Sequence, residues 1–154
     1  METTVNQGAS FSELAAESLR KKTQVLERGH YAPVPHDLFR RIIPIAREYD
    51  KSNVHIATLY TYLLSLVNGQ PDNDRYMSAF PSVPRIAEET GIGRNRVKPL
   101  CDVLEAVGLV KSTYDYTSNK RDKLYYPQYY SELTDAEIRA RLDELYGVIH
   151  SSVI

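Results

Sequence analysis

Three features of this sequence point to a mainly α-helical fold with one small β-hairpin. Apolar residues recur at helical spacing in several runs, most of them closed by glycine or proline. Two of those runs are separated by nothing more than Gly91-Ile92-Gly93. Residues 109–126 then hold two short stretches of β-branched and aromatic residues around a polar turn.

Residues 1–9 are small and polar and are expected to have no fixed structure. Ser10 and Glu13 have capping-box spacing, and the helix they open runs to about Arg28, with Gly29 as its stop. Its apolar residues Phe11, Leu14, Ala15, Val25 and Leu26 make a narrow stripe that needs a partner surface. Tyr31–Pro35 is extended by its prolines, as a short edge strand or a linker. From His36 to Glu48 the chain reads helical, with Leu38, Phe39, Ile42, Ile43, Ile45 and Ala46 on one broad face and Pro44 as a kink or stop. A stronger helix follows from Ser52, carrying Ile56, Leu59, Tyr60, Leu63, Leu66 and Val67 at core spacing and ending at Asn68-Gly69. Pro71–Asp74 is a loop.

Ser82 caps a short helix, Val83–Thr90, with Pro84 tolerated in its first turn. After the glycine break a longer helix spans Arg94–Val107, burying Val97, Leu100, Cys101, Leu104 and Val107 and ending at Gly108. Ile86, Ile92, Val97 and Leu100 are the expected core between the two helices, and Ala87 is small enough to let them cross closely. Pro99 is the one discordant residue, since it removes a hydrogen bond from the second turn. Leu109–Tyr116 and Lys123–Tyr126 are the strands, with Thr117–Asp122 as the turn and Pro127 as the end. Helix-turn-helix followed directly by a hairpin with a basic tip is the order of a winged helix.

The chain has 154 residues and 42% hydrophobic content, enough for a core, and a net charge of −1. That charge excludes a uniformly basic protein that coats nucleic acid, but not a basic face. The charges are unevenly placed: residues 75–123 carry nine basic and six acidic side chains, while residues 124–154 carry two and five. A single cysteine, Cys101, excludes a disulfide scaffold, and His30, His36, His55 and His150 are too scattered for a zinc site. Neither a secretory signal nor a membrane span is legible, so a reduced bacterial cytoplasm is the expected compartment. Phosphate loops, nucleophile elbows and paired metal ligands are missing too, so no enzyme activity, cofactor or metal is expected.

The start of the second helix displays Arg94, Asn95, Arg96 and Lys98. A helix N-terminus fits the major groove of B-DNA, where Arg bridges guanine O6 and N7 and Asn pairs with adenine. Lys120 and Arg121 at the hairpin tip are placed for an adjacent minor groove or the backbone, and Lys111 and Lys123 for phosphates. Six of the 12 tyrosines lie in the hairpin and its exit, most of them expected as cross-strand packing.

Residues 31–127 resemble the N-terminal winged-helix domain of RepA-type plasmid replication initiators. More loosely they resemble DnaD-like and phage replisome-organiser winged helices. The likeness is carried by Tyr31-x-x-Val34-Pro35-x-x-Leu38-Phe39, the helix from Ser52 to Asn68, and the stretch from Pro81 to Lys111 with its Gly108-Leu109-Val110 exit. That last stretch is also similar to GntR-type transcription regulators. The resemblance implies a dimeric domain on repeated or palindromic DNA, with recognition by Arg94, Asn95, Arg96 and Lys98 and wing contacts by Lys120 and Arg121. Two departures stand out. Thr117-Ser118-Asn119 replaces the Gly- and Pro-rich wing turn of such initiators, and with Ile154 as last residue no further machinery-recruiting domain is expected.

Beyond the hairpin, Thr134 and Glu137 form a second capping box. The helix it opens aligns Ile138, Leu142, Leu145, Tyr146 and Ile149 on a stripe expected to dock on its own domain or, by preference, to form a dimer interface. The expected organisation is a tail and helix over 1–30, a winged-helix domain over 31–127 and the amphipathic helix within 128–154. The function these features point to is sequence-specific binding of double-stranded DNA by a homodimer, as a transcription regulator or a plasmid or phage replication initiator. The alternative is a winged helix that contacts another protein of a replication or transcription complex.

Overall fold

The computed structural model describes residues 8–117, 119 and 121–148. The chain forms two compact units, Met1–Ala32 and Pro33–Ile154. The first holds α1, Phe11–Arg28, which starts at a complete capping box between Ser10 and Glu13 and stops at Gly29. No residue of α1 is buried. Tyr31–Pro35 form no strand.

In the second unit a π-helical turn, Leu38–Ile42, leads into α2, Ile43–Arg47. Pro44 explains this change of helix type. It has no N–H to give the Arg40 carbonyl, and the chain enters it with Ile43 N–H bonded to Leu38 O, five residues back. The widened turn also corrects one expectation. Leu38, Ile42, Ile43, Ile45 and Ala46 are buried, whereas Phe39 is 61% exposed and leaves their face. A 3-10 segment, Lys51–His55, capped by Asp50, precedes α3, Ile56–Ser65. α3 buries Ile56, Leu59, Tyr60, Leu63 and Leu64; Leu66 and Val67 are half-buried past its end.

The helix-turn-helix consists of α4, Val83–Thr90, and α5, Arg94–Ala106. Gly91 (φ 79°) ends α4 in the left-handed conformation that glycine adopts at low cost, its N–H on Ala87 O at 3.0 Å. Ile86, Val97 and Leu100 are buried where the helices meet, and Ile92 and Ala87 are half-buried. α5 continues through Pro99 without interruption. The carbonyl of Asn95, which Pro99 cannot serve, lies on an exposed stretch of the helix, so the lost bond does not leave a buried acceptor unpaired. Gly108 (φ 83°) then turns the chain beneath residues 131–133; a Cβ there would stand 2.7 Å from Ser131 Oγ, so only glycine fits.

β1, Val110–Tyr114, and β2, Lys123–Pro127, pair antiparallel, with Val110 opposite Pro127 and Tyr114 opposite Lys123. A one-residue bridge completes the sheet: Ala79 exchanges two 2.8 Å hydrogen bonds with Tyr125 on the outer edge of β2. A bridge of one residue has no periodicity, so the sequence offers no sign of it.

α6, Asp135–Tyr146, opens with the expected Thr134–Glu137 capping box and packs against α2 and α5 within the same unit. This corrects the dimer stripe. Ile138 and Leu142 are fully buried in their own chain, so they are not available to a second copy. Tyr146 is also engaged: Asn53 Nδ2 donates to its hydroxyl at 2.9 Å, and its ring stacks on Tyr49 with centroids 5.5 Å apart. Leu145 stays exposed, and Ile149 lies outside the described residues. Polar contacts hold the same docking: Arg41 bonds Asp135 and the Leu133 carbonyl, both at 3.0 Å, and Arg139 pairs with Glu48 at 3.1 Å. Side-chain length and amphipathic spacing are the same whether a stripe meets its own core or another chain, so only packing could decide this.

Candidate nucleic-acid interface

Gly93, the N-cap of α5, offers no capping side chain, so the first N–H groups of the helix have no side-chain acceptor. Around that helix start the four expected recognition residues divide into two pairs. Arg94 and Asn95 are exposed, and Arg94 has no ion pair among the described residues. It borders an open groove with Ser82, Pro84, Arg85, Ala87 and Glu88 of the α4 start. Arg96 is half-buried and turned inward, donating from its guanidinium to Ser52 Oγ at 2.6 Å. Ser52 in turn donates to Asp50 at 2.7 Å, and these hydrogen bonds, with Arg96 adding a smaller pull, hold the Asp50 carboxyl below its usual pKa. Lys98 is exposed and pairs with Asp102 one turn later at 3.1 Å. An exposed pair of that kind contributes little and yields easily to a phosphate.

The ladder sorts the hairpin's lysines onto opposite faces, because residues opposite each other in an antiparallel pair share a face. Ser112, Tyr114, Lys123 and Tyr125 face α5, as the 3.0 Å bond from Ser112 Oγ to Glu105 shows. Lys123 sits 5.2 Å over the Tyr125 ring on that side. Lys111 shares the other face with Thr113, Leu124 and Tyr126. Lys111 and Lys123, both expected at phosphates, therefore point to opposite faces of the strand pair. Arg121 is exposed at the turn with φ 51° and no ion pair among the described residues. Lys120 lies outside the described residues.

A residue with no sequence signal fastens the turn end of the hairpin. Arg75, in the loop after α3, bonds Asp115 at 2.7 Å and Asp122 at 3.2 Å, one on each arm of the hairpin, and its guanidinium stands 4.5 Å over the Phe80 ring. The Asp115 N–H adds a 2.8 Å bond to the Asp122 carbonyl. These partners are 40 and 47 residues from Arg75, far beyond any local pattern. Hydrogen bonds from Thr117 and then from Arg75 hold the Asp115 carboxyl below its ordinary pKa of 3.8. A folded-state pKa lowered in this way adds stability that is complete above the unfolded value and is lost as pH falls through the folded one. The wing anchor is therefore expected to weaken only below about pH 4. Thermal unfolding followed from pH 7 to pH 2 should show this acid loss in the wild type and a smaller one in Arg75→Gln; equal acid losses would contradict the anchor.

Of the basic stretch 75–123, Arg75, Arg85 and Lys98 are thus tied to acids of the same unit. The positive charge left without an ion pair among the described residues comes from Arg94 and Arg96 on α5 and from Lys111, Arg121 and Lys123 on the wing. The tyrosines split likewise: Tyr125 is buried, whereas Tyr114, Tyr116 and Tyr130 are exposed, which the expectation of cross-strand packing did not separate. Cys101 is buried, and burial pushes its thiol to about 11, which keeps it protonated and inert.

Among the described residues no group of three or more His, Cys, Asp or Glu side chains is placed to hold a metal ion, and no helix is long and apolar enough to cross a membrane. The chain matches no protein-family model, no curated protein and no solved structure.

Proposed function

We propose that this chain binds double-stranded DNA sequence-specifically, with the start of α5 in the major groove and the β1–β2 wing on the neighbouring backbone or minor groove. Two copies act together on a palindromic or repeated site, as a transcription regulator or a plasmid or phage replication initiator. The observation that carries this reading is the exposed pair Arg94 and Asn95 at a helix start without a side-chain cap, set beside a wing whose acids are taken up by Arg75. Such a pair has the donor and acceptor geometry that base edges require, and Arg121, Lys123 and Lys98 supply the phosphate contacts that set register.

Selecting bound sequences from a random DNA pool tests the reading directly. The expected outcome is an enriched motif with two half-sites about one helical turn, roughly 34 Å, apart. No enrichment, together with no salt-sensitive affinity for mixed-sequence DNA, would overturn it. The exposed Tyr114 and Tyr116 rings, 6.2 Å apart, favour a second reading as a protein-contact module, which that same negative result would support.

A further inference from the structure

The dimer in the proposed function needs a surface, and α6 cannot supply the expected one, because Ile138 and Leu142 are consumed by its own core. α1 has the opposite character. It is 18 residues long and buries none of them, with Phe11 94% exposed and Leu19 and Leu26 more than half exposed. At 100° per residue, Phe11, Leu14, Ala15, Leu19, Val25 and Leu26 fall within an arc of roughly 140°. By itself a helix of this length is only marginally stable in water, so burying that arc is its natural source of stability.

The charges on α1 say what fits the arc. Residues 11–19 carry Glu13 and Glu17 and no base, whereas residues 20–28 carry Arg20, Lys21, Lys22 and Arg28 against Glu27 alone. A parallel pair would set acid over acid and base over base. An antiparallel pair sets the acidic half of each helix over the basic half of the other, twice by symmetry, and opposes the two helix dipoles. With full overlap, residue 22 of one helix lies opposite residue 17 of the other. Lys22, the one charge inside the apolar arc, then lays its stem along the seam, while Lys21, on the same flank of the stripe as Glu17, comes level with Glu17 of the second copy.

We propose that α1 is the pairing element of this protein, two copies packing antiparallel through the Phe11–Leu26 stripe. The inference rests on the two-copy part of the proposed function and not on DNA contact itself. Helices of this length, roughly 27 Å, make an interface at the small end of specific ones, so association is expected at micromolar concentration.

Sedimentation equilibrium of the full chain, from about 1 to 100 µM, is expected to show a monomer–dimer equilibrium. Leu14→Glu with Leu26→Glu should weaken it by roughly tenfold or more while leaving the thermal unfolding of the Pro33–Ile154 unit unchanged. Orientation is read by oxidation of variants that each carry one added cysteine, the native Cys101 being buried. Ser18→Cys, near the two-fold axis, should cross-link two chains. Val25→Cys should not, since its counterpart lies roughly 16 Å along the axis. A chain that is monomeric throughout, or a dimer that the double variant leaves intact, overturns the proposal; cross-linking of both cysteine variants overturns the antiparallel arrangement. Binding of single half-sites by a monomer would sink this inference and leave the DNA reading standing, while an α1-dependent dimer without affinity for DNA would do the reverse.

Discussion

Leu142→Ala is expected to destabilise the Pro33–Ile154 unit by about 2–5 kcal/mol and to lower its Tm by roughly 8–20 °C. Leu142 has no exposed surface and lies on the face of α6 that packs against α2 and α5. Truncation removes buried methyl groups and leaves a cavity that the neighbouring helices cannot fully close. The lower end of the range applies if α6 settles toward α5, the upper end if its polar ties hold it in place. Those ties, Arg41 to Asp135 and Arg139 to Glu48, join α6 to residues of the π-turn and of the α2 C-terminus, which favours the upper end. Leu145→Ala, three residues on and 42% exposed, should cost far less. Thermal unfolding and sedimentation on the same variant separate the two roles available to α6. A large fall in Tm with an unchanged monomer–dimer equilibrium is expected; an unchanged Tm with loss of the dimer would return α6 to the interface.

Arg94→Ala is expected to lower affinity for the selected DNA site by about 1–3 kcal/mol, between roughly 5-fold and 150-fold, with a much smaller loss on random DNA. Arg94 is exposed, no acid of the described residues neutralises its guanidinium, and it stands at the first position of α5. Lys98→Ala and Arg121→Ala should instead weaken specific and random DNA alike and reduce the salt slope by about 1 each. Arg96→Ala belongs to neither class. It removes the bond to Ser52 that ties the first turn of α5 to the 3-10 segment ahead of α3, so it should alter the seating of α5 along with affinity. Titration of each variant against the selected site and a scrambled one, at two salt concentrations, checks the set. Equal losses on both DNAs for Arg94→Ala would assign it to the backbone rather than to a base.

Much of the fold was legible because its determinants are local. Ser10 with Glu13, Ser82, and Thr134 with Glu137 cap the helices they were expected to cap. Gly91 and Gly108 take the left-handed turns that end α4 and α5, and the two strands fall within a residue or two of their expected bounds. The departures have equally definite causes. Pro44 converts the expected helix into a π-turn and rotates Phe39 to the surface. The Ala79 bridge is too short to have a pattern.

The candidate site divides the same way. Which residues occupy the start of α5 and the wing follows from caps, glycines and alternation, and each of those acts over a few neighbours along the chain. Which of their charges remain free depends on partners that the chain brings from far away. Arg75 takes up Asp115 and Asp122, Ser52 claims Arg96, and the hairpin ladder parts Lys111 from Lys123. The stripe of α6 makes the point most plainly. Its spacing declares an amphipathic helix, but burial is a property of whatever surface the helix meets, and only the packed core shows that surface to be its own.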